Sequence, residues 1–152
     1  MSGRDIYVGA ALFAGEVIED KQGLYSLIRV YDEVHAEMAP DTPEPSAGQP
    51  VTIPLVGLVS LRTGSAYGRH TVRLDLVAPD GERKDGQPFD LAIEEGSTGI
   101  NIPLNIRFRA KGAGRYWFEV LVDGELLTRI PMTVVLTRAA SEPPATGPLA
   151  PA

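Results

Sequence analysis

Two histidines, His35 and His70, are the only imidazoles in the sequence, and no cysteine accompanies them. That removes a thiolate nucleophile, a thiolate metal site and a disulfide framework. His35 follows Tyr31-Asp-Glu-Val34. The four acids between Asp32 and Asp41 could in principle hold a hard cation, but they lack the Asp-x-Asp-x-Asp-Gly loop and its terminal glutamate. They read as a solvated acidic loop. His70 opens a strand, where it packs or faces solvent. No His-Glu-x-x-His pattern and no zinc spacing occurs. Ser60 and Ser65 both lie outside a Gly-x-Ser-x-Gly elbow. Gly112-x-Gly114 leads into a strand, so it is no dinucleotide fingerprint. Glu94 and Glu95 are adjacent, which on a strand puts them on opposite faces. The sequence therefore predicts no catalytic residue, no metal and no cofactor, and a non-enzymatic role.

Two surface constellations remain. Arg107, Arg109 and Lys111 share one face at i, i+2, i+4, a basic row about 14 Å long by strand rise. Such a row either guards a strand by charge or contacts an acidic partner, which could be the acidic first third of another copy. The second constellation is the outward face of a hairpin over Gly114 to Val135. Arg115, Trp117, Glu119 and Leu121 lie on its first strand, with Leu127, Arg129 and Pro131 on the return. Tryptophan and arginine are common hot-spot residues. Candidate partner-binding residues are thus Trp117, Leu121, Leu127, Arg129, Arg107 and Arg109.

The hairpin is the clearest element. Tyr116, Phe118, Val120 and Val122 alternate on its inner face, Asp123-Gly124 turns, and Leu126, Ile130, Met132 and Val134 return. A two-residue turn without a bulge would set Phe118 against Arg129. The preferred register puts a bulge at Gly124, pairs Tyr116 with Ile130 and Phe118 with Thr128, and brings Arg129 opposite Trp117 for a cation–π contact.

Other strands are predicted over residues 6–14, 24–34, 51–62, 70–78, 89–93 and 100–110. In the second, Leu24, Ile28 and Val30 form one apolar face, and Tyr25, Leu27 and Tyr31 the other. In the 100–110 strand Ile100, Ile102, Leu104, Ile106 and Phe108 face in, and Asn101, Pro103, Asn105, Arg107 and Arg109 face out. Ala39 to Pro50 is proline-rich and acidic, a loop inside the domain. Residues 1–137 form the domain, and 138–152 have the composition of a disordered tail.

This pattern of about eight short strands and no helix predicts an all-β, antiparallel sandwich. Gly114-Arg-Tyr116-Trp-Phe118 resembles immunoglobulin-like domains, with Tyr116 at the tyrosine-corner position and Phe118 where a disulfide cysteine often stands. The blocks GLYSLIRVYDEV and GRYWFEVLVDGELLTRIPMTV are similar to those of a family of small bacterial β-sandwich proteins known as a domain of unknown function. The resemblance rests on Gly23, Ser26 to Ile28, Val30 to Asp32, Gly114, Tyr116, Phe118, Val120 and Val122 to Gly124. It implies a fold and brings no catalytic residues.

Net charge is −6, and all of it sits in residues 1–50, with nine acids and three bases there. An acidic chain argues against nucleic acid as a partner. No apolar run reaches the length of a membrane span. Residues 8–14 follow Asp5 instead of a positive segment, so they read as a strand and not a signal core. The expectation is a cytoplasmic protein-interaction or assembly module with a protein partner or self-association. The alternative is a small-ligand or carbohydrate-binding sandwich using Trp117, Tyr25 and Tyr31 as stacking platforms.

Overall fold

Period-two alternation builds ten strands in a computed structural model of the protein, which describes residues 5–139. They are β1 (Tyr7–Glu19), β2 (Tyr25–Tyr31), β3 (Glu33–Met38), β4 (Val51–Arg62), β5 (Gly68–Val77), β6 (Arg83–Lys84), β7 (Phe89–Ile93), β8 (Gly99–Ala110), β9 (Gly114–Val122) and β10 (Glu125–Arg138). No helix occurs among the described residues. One sheet has the order β2-β1-β4-β8; the other runs β3-β10-β9-β5, with β6 and β7 each covering part of the far side of β5. The protein is an immunoglobulin-like β-sandwich.

The two inner faces meet in an aromatic cluster. Phe118, at the position of the missing cysteine, packs edge-on against Phe13 of β1 at 5.0 Å and Phe108 of β8 at 5.3 Å, both from the opposite sheet. Each such pair adds about 0.5–1.5 kcal/mol beyond burial. Phe13 lies over Gly57, where a Cβ would collide with the Leu12 carbonyl. Tyr116 makes the tyrosine corner: its hydroxyl donates to the Gly112 carbonyl at 2.8 Å and accepts the N–H groups of Lys111 and Gly112.

Four features differ from the sequence reading. The stretch 24–34 is two strands, because the chain leaves one sheet for the other at Asp32, whose carbonyl accepts the Thr133 N–H at 2.9 Å. Continuing in the same direction, β3 lies parallel to β10, so the sandwich is not wholly antiparallel. β1 runs on through Glu16 to Glu19 as a long ribbon with β2. In that ribbon Leu24, Ile28 and Val30 are exposed, while Tyr31 packs against the core.

The hairpin register also differs. Asp123 (φ 52°) and Gly124 (φ 81°) both adopt left-handed conformations, so the turn is a two-residue type I′ closed by Val122 and Glu125. Asp123 is held there by tertiary bonds: Oδ1 accepts the Thr71 N–H at 3.0 Å and Oδ2 meets His70. The bulge falls two residues later, between Leu126 and Thr128, and pairs Phe118 with Ile130 and Tyr116 with Met132. The apolar faces still coincide, but Leu126 and Leu127 exchange sides. Leu126 is 47% exposed opposite Leu121, and Leu127 packs against the core.

Residues 39–50 form a loop without regular structure. β10 extends to Arg138, whose guanidinium donates to the Ala39 and Pro40 carbonyls at 3.1 Å. The tail predicted beyond it lies outside the described residues from 140 onward.

Candidate functional site

The sandwich is closed on one side by the crossing at Asp32 and open on the other. On the open side β8 ends its sheet. Facing it are β5, β6, β7 and the segment 85–88. Between them is a cleft of about 460 Å³. Leu74, Leu76, Ile106, Phe108 and Phe118 contribute its apolar wall, and Phe89, also lining it, is exposed. Lys84, Asp85, Arg107 and Arg109 contribute the charged groups.

Two prolines fix how the backbone of β8 is directed. Pro54 pairs with Arg107, and Pro103 with Leu58. Proline has no N–H, so its nitrogen must face away from the paired strand. For Pro54 that direction is open, because β1 pairs with β4 only from Val56 onward. For Pro103 it is the solvent side of β8. Both prolines give the same parity, so odd-numbered residues of β8 turn their N–H and C=O groups away from β4. Asn101, Asn105, Arg107 and Arg109 thus present donors and acceptors on the free edge, and Pro103 an acceptor only. Among the described residues no loop bonds to the backbone between Asn101 and Arg109.

The basic row divides. Arg107 and Arg109 are exposed at the cleft without an ion pair among the described residues, and so is Lys84. Lys111 lies beyond the strand and is neutralised by Asp80 at 2.9 Å and by Glu82. Those bonds raise its pKa, the hydrogen bond to Glu82 most.

The hairpin residues sit on the far face of the other sheet and form a less continuous surface than expected. Trp117 is half-buried between Val77 and Pro131 on the neighbouring strands. Arg129 stacks over it at 4.9 Å, diagonally and not from the opposed position, and Arg115 at 5.8 Å. Leu121 shares this face; Leu127 does not, because the bulge turns it inward. Glu119 stands opposite Arg129 but is buried and pairs with Arg83 at 2.6 Å. Tyr25 and Tyr31 belong to β2 in the opposite sheet, so no shared aromatic platform forms with Trp117.

Besides Glu119, two further buried polar groups have partners that the sequence reading did not assign. Asp75 has no exposed side-chain surface and takes a two-point ion pair from Arg73 (Nε–Oδ1 2.7 Å, Nη2–Oδ2 2.9 Å). Arg83 approaches at 3.4 Å, and the Gly86 N–H bonds Oδ1 at 2.9 Å. Arg73 first, then Gly86 and the charge of Arg83, hold its carboxyl below the usual range against the effect of burial. Asp75 and Glu119 are cross-strand neighbours. Arginines engage both carboxylates, which suits a structural network rather than an acid–base pair. A Cβ at Gly86 would collide with the Leu74 carbonyl, so the Gly86 backbone must approach closely to reach Asp75. His70 is the second group, bonded to Asp123. The His70–Asp123 pairing has no local sequence signal, since Asp123 lies on a distant turn. Arg73 and Asp75 stand two residues apart on one face of β5, a local signal for their pairing, but the approach of Arg83 and Gly86 has none. Among the described residues no three His, Asp or Glu side chains converge as a metal would require.

Known structures similar to this one include the alkylpurine DNA glycosylase AlkC of Pseudomonas fluorescens (13% identity over 86% of this chain and 30% of that one, TM-score 0.44). An immunoglobulin-like protein from Pseudomonas aeruginosa matches at 16% identity over 88% of this chain and 99% of that one, TM-score 0.46. A beta-glucosidase from Listeria innocua matches at 8% identity over 88% of this chain and 16% of that one, TM-score 0.50. The chain thus spans under a third of the glycosylase and about a sixth of the glucosidase. At these identities the likeness concerns fold alone. No curated protein matches the sequence. Both sequence blocks that carried the resemblance lie within residues 9–135, which match the profile of a family of unknown function (DUF6941), and the chain belongs to that family.

Proposed function

We propose that this protein is a non-enzymatic protein-interaction module, acting in a bacterial cytoplasm, and that it binds its partner along the open side of the sandwich. The observation that carries this reading is the free edge of β8 beside an apolar cleft, with Lys84, Arg107 and Arg109 lacking ion pairs among the described residues. A sheet edge with unpaired backbone groups is a template for another chain. The cleft has a single lining carboxylate, Asp85, and neither serine nor histidine, which does not favour hydrolysis there. Carbohydrate binding loses support because Trp117, Tyr25 and Tyr31 are divided between the sheets. The cysteine-free sequence suits a reducing compartment, and cell fractionation tests that setting.

A photo-crosslinking residue at Asn105 tests the site in the native host. The expected result is a discrete adduct from position 105 and none from Gln22, which lies on an exposed turn. Adducts from position 117 instead would return the binding surface to the hairpin face. Absence of adducts from both would overturn the interaction reading.

A further inference from the structure

Resting on that reading, we propose that β8 takes an extended acidic segment of another protein as an added strand, with alternate residues of the segment apolar. Three observations converge on one half of β8. The proline-free half, Asn105 to Arg109, offers complete N–H and C=O sets at every odd residue, three in succession. The same stretch borders the cleft. It also carries the exposed arginines without ion pairs among the described residues. Pro103 interrupts the other half, which limits indiscriminate pairing.

The chemistry of the segment follows from the pleat. A strand added at about 4.8 Å from β8 alternates its side chains between the two faces of the sheet. Residues sharing the inner face, beside Ile106 and Phe108, point toward the cleft and its apolar wall. Residues sharing the outer face lie beside Arg107 and Arg109. Those two arginines have no ion pair among the described residues and favour carboxylates at these outer positions, with Lys84 a further cation across the cleft. Backbone bonds give affinity in such an addition, and the alternate pockets give specificity.

The test uses the full chain, ¹⁵N-labelled, and the capped peptide (Glu-Val)4 as probe. The expected result is amide shift changes at Asn105, Arg107 and Arg109, with hydrogen exchange there slowed about tenfold or more. Binding should weaken as salt screens the charges. The double variant Arg107→Glu/Arg109→Glu should lose it while keeping a folded spectrum. The peptide (Lys-Val)4 should not bind, nor should (Glu-Val)4 N-methylated at alternate residues, which keeps the charge but loses the donors. Equal binding of either control, perturbation confined to other strands, or no perturbation at the solubility limit of the probe overturns the proposal. Concentration-dependent changes at the same amides without peptide would make the occupant a second copy and also overturn it. If the probe fails while the Asn105 crosslinker captures a discrete partner, the interaction reading stands and the acidic-strand proposal falls. If both fail, both fall.

Discussion

His70 and Asp123 lie 53 residues apart in the chain and 2.6 Å apart in space, Nδ1 to Oδ2. The other ring nitrogen meets the Tyr67 carbonyl at 3.1 Å. Both partners are acceptors, so the protonated ring can donate to both and the neutral ring to only one. The pair ties the start of β5 to the turn between β9 and β10. The bond to Asp123 holds the histidine pKa above its ordinary 6.5 against the effect of burial, with the Tyr67 carbonyl and the charge of Asp123 adding to it.

The pH dependence follows. Stability from His70 is complete below about pH 6.5 and is lost as pH rises through the higher folded value. Burial would raise the Asp123 carboxyl, but the bonds from His70 and the Thr71 N–H outweigh it and leave the pKa below 3.8. The contribution of Asp123 is therefore present above pH 3.8 and fades as pH falls through its folded value. Urea midpoints of the wild type should fall between about pH 6 and about pH 9, and His70→Gln should flatten that slope. An unchanged slope in the variant would show that His70 does not titrate as argued.

Asp75→Asn should be among the most destabilising single changes. It removes the charge that Arg73 and Arg83 share and places an amide donor against them. Breaking a buried pair costs about 3–5 kcal/mol, and the partial exposure of both arginines puts this case toward the lower end. Guanidinium titration measures it. Arg73→Met should cost less, because Asp75 keeps Arg83 and the Gly86 N–H.

The bulge after the turn predicts opposite outcomes for neighbouring leucines. Leu126→Ser, on the exposed side, should change stability by no more than about 0.5 kcal/mol. Leu127→Ser, on the core side, should cost about 1–3 kcal/mol. Equal effects in thermal unfolding would mean that the two side chains do not sit on opposite faces.

Arg29 stands in the middle of β2 at φ 60°, opposite Gly15. A left-handed conformation costs a residue with a side chain about 1–2 kcal/mol, and glycine is free of that cost. Arg29→Gly should therefore unfold at an equal or higher urea concentration than the wild type, despite losing the guanidinium that lies over Gly15. Arg29→Val, a β-branched residue ill-suited to positive φ, should unfold at a lower one.

Strand existence and facing were legible wherever one face is buried, because alternation is a local record of that burial. Ile100 to Phe108 read correctly as inward and Asn101 to Arg109 as outward, and Tyr116 and the position of the turn at Asp123-Gly124, though not its type, read correctly from their neighbours alone. Strand partners were not legible, since several alternating segments could pair with one another at similar local cost and only the packed whole separates them. The crossing at Asp32, the bulge at Leu127 and the exposure of Ile28 and Val30 are of that kind. The arginines at 107 and 109 were visible as a basic row, but their role depends on position in the sheet. Nothing within β8 says that it has no neighbour beyond it, or that Leu74, Phe89 and Phe118 from distant segments gather beside that edge. The burial of Asp75 and His70 is of the same kind: Arg73, two residues away, was a legible partner for Asp75, but its enclosure by Arg83 and Gly86, like the meeting of His70 with Asp123, was not, because burial of a charge is a property of the assembled sheets and not of the strand that carries it.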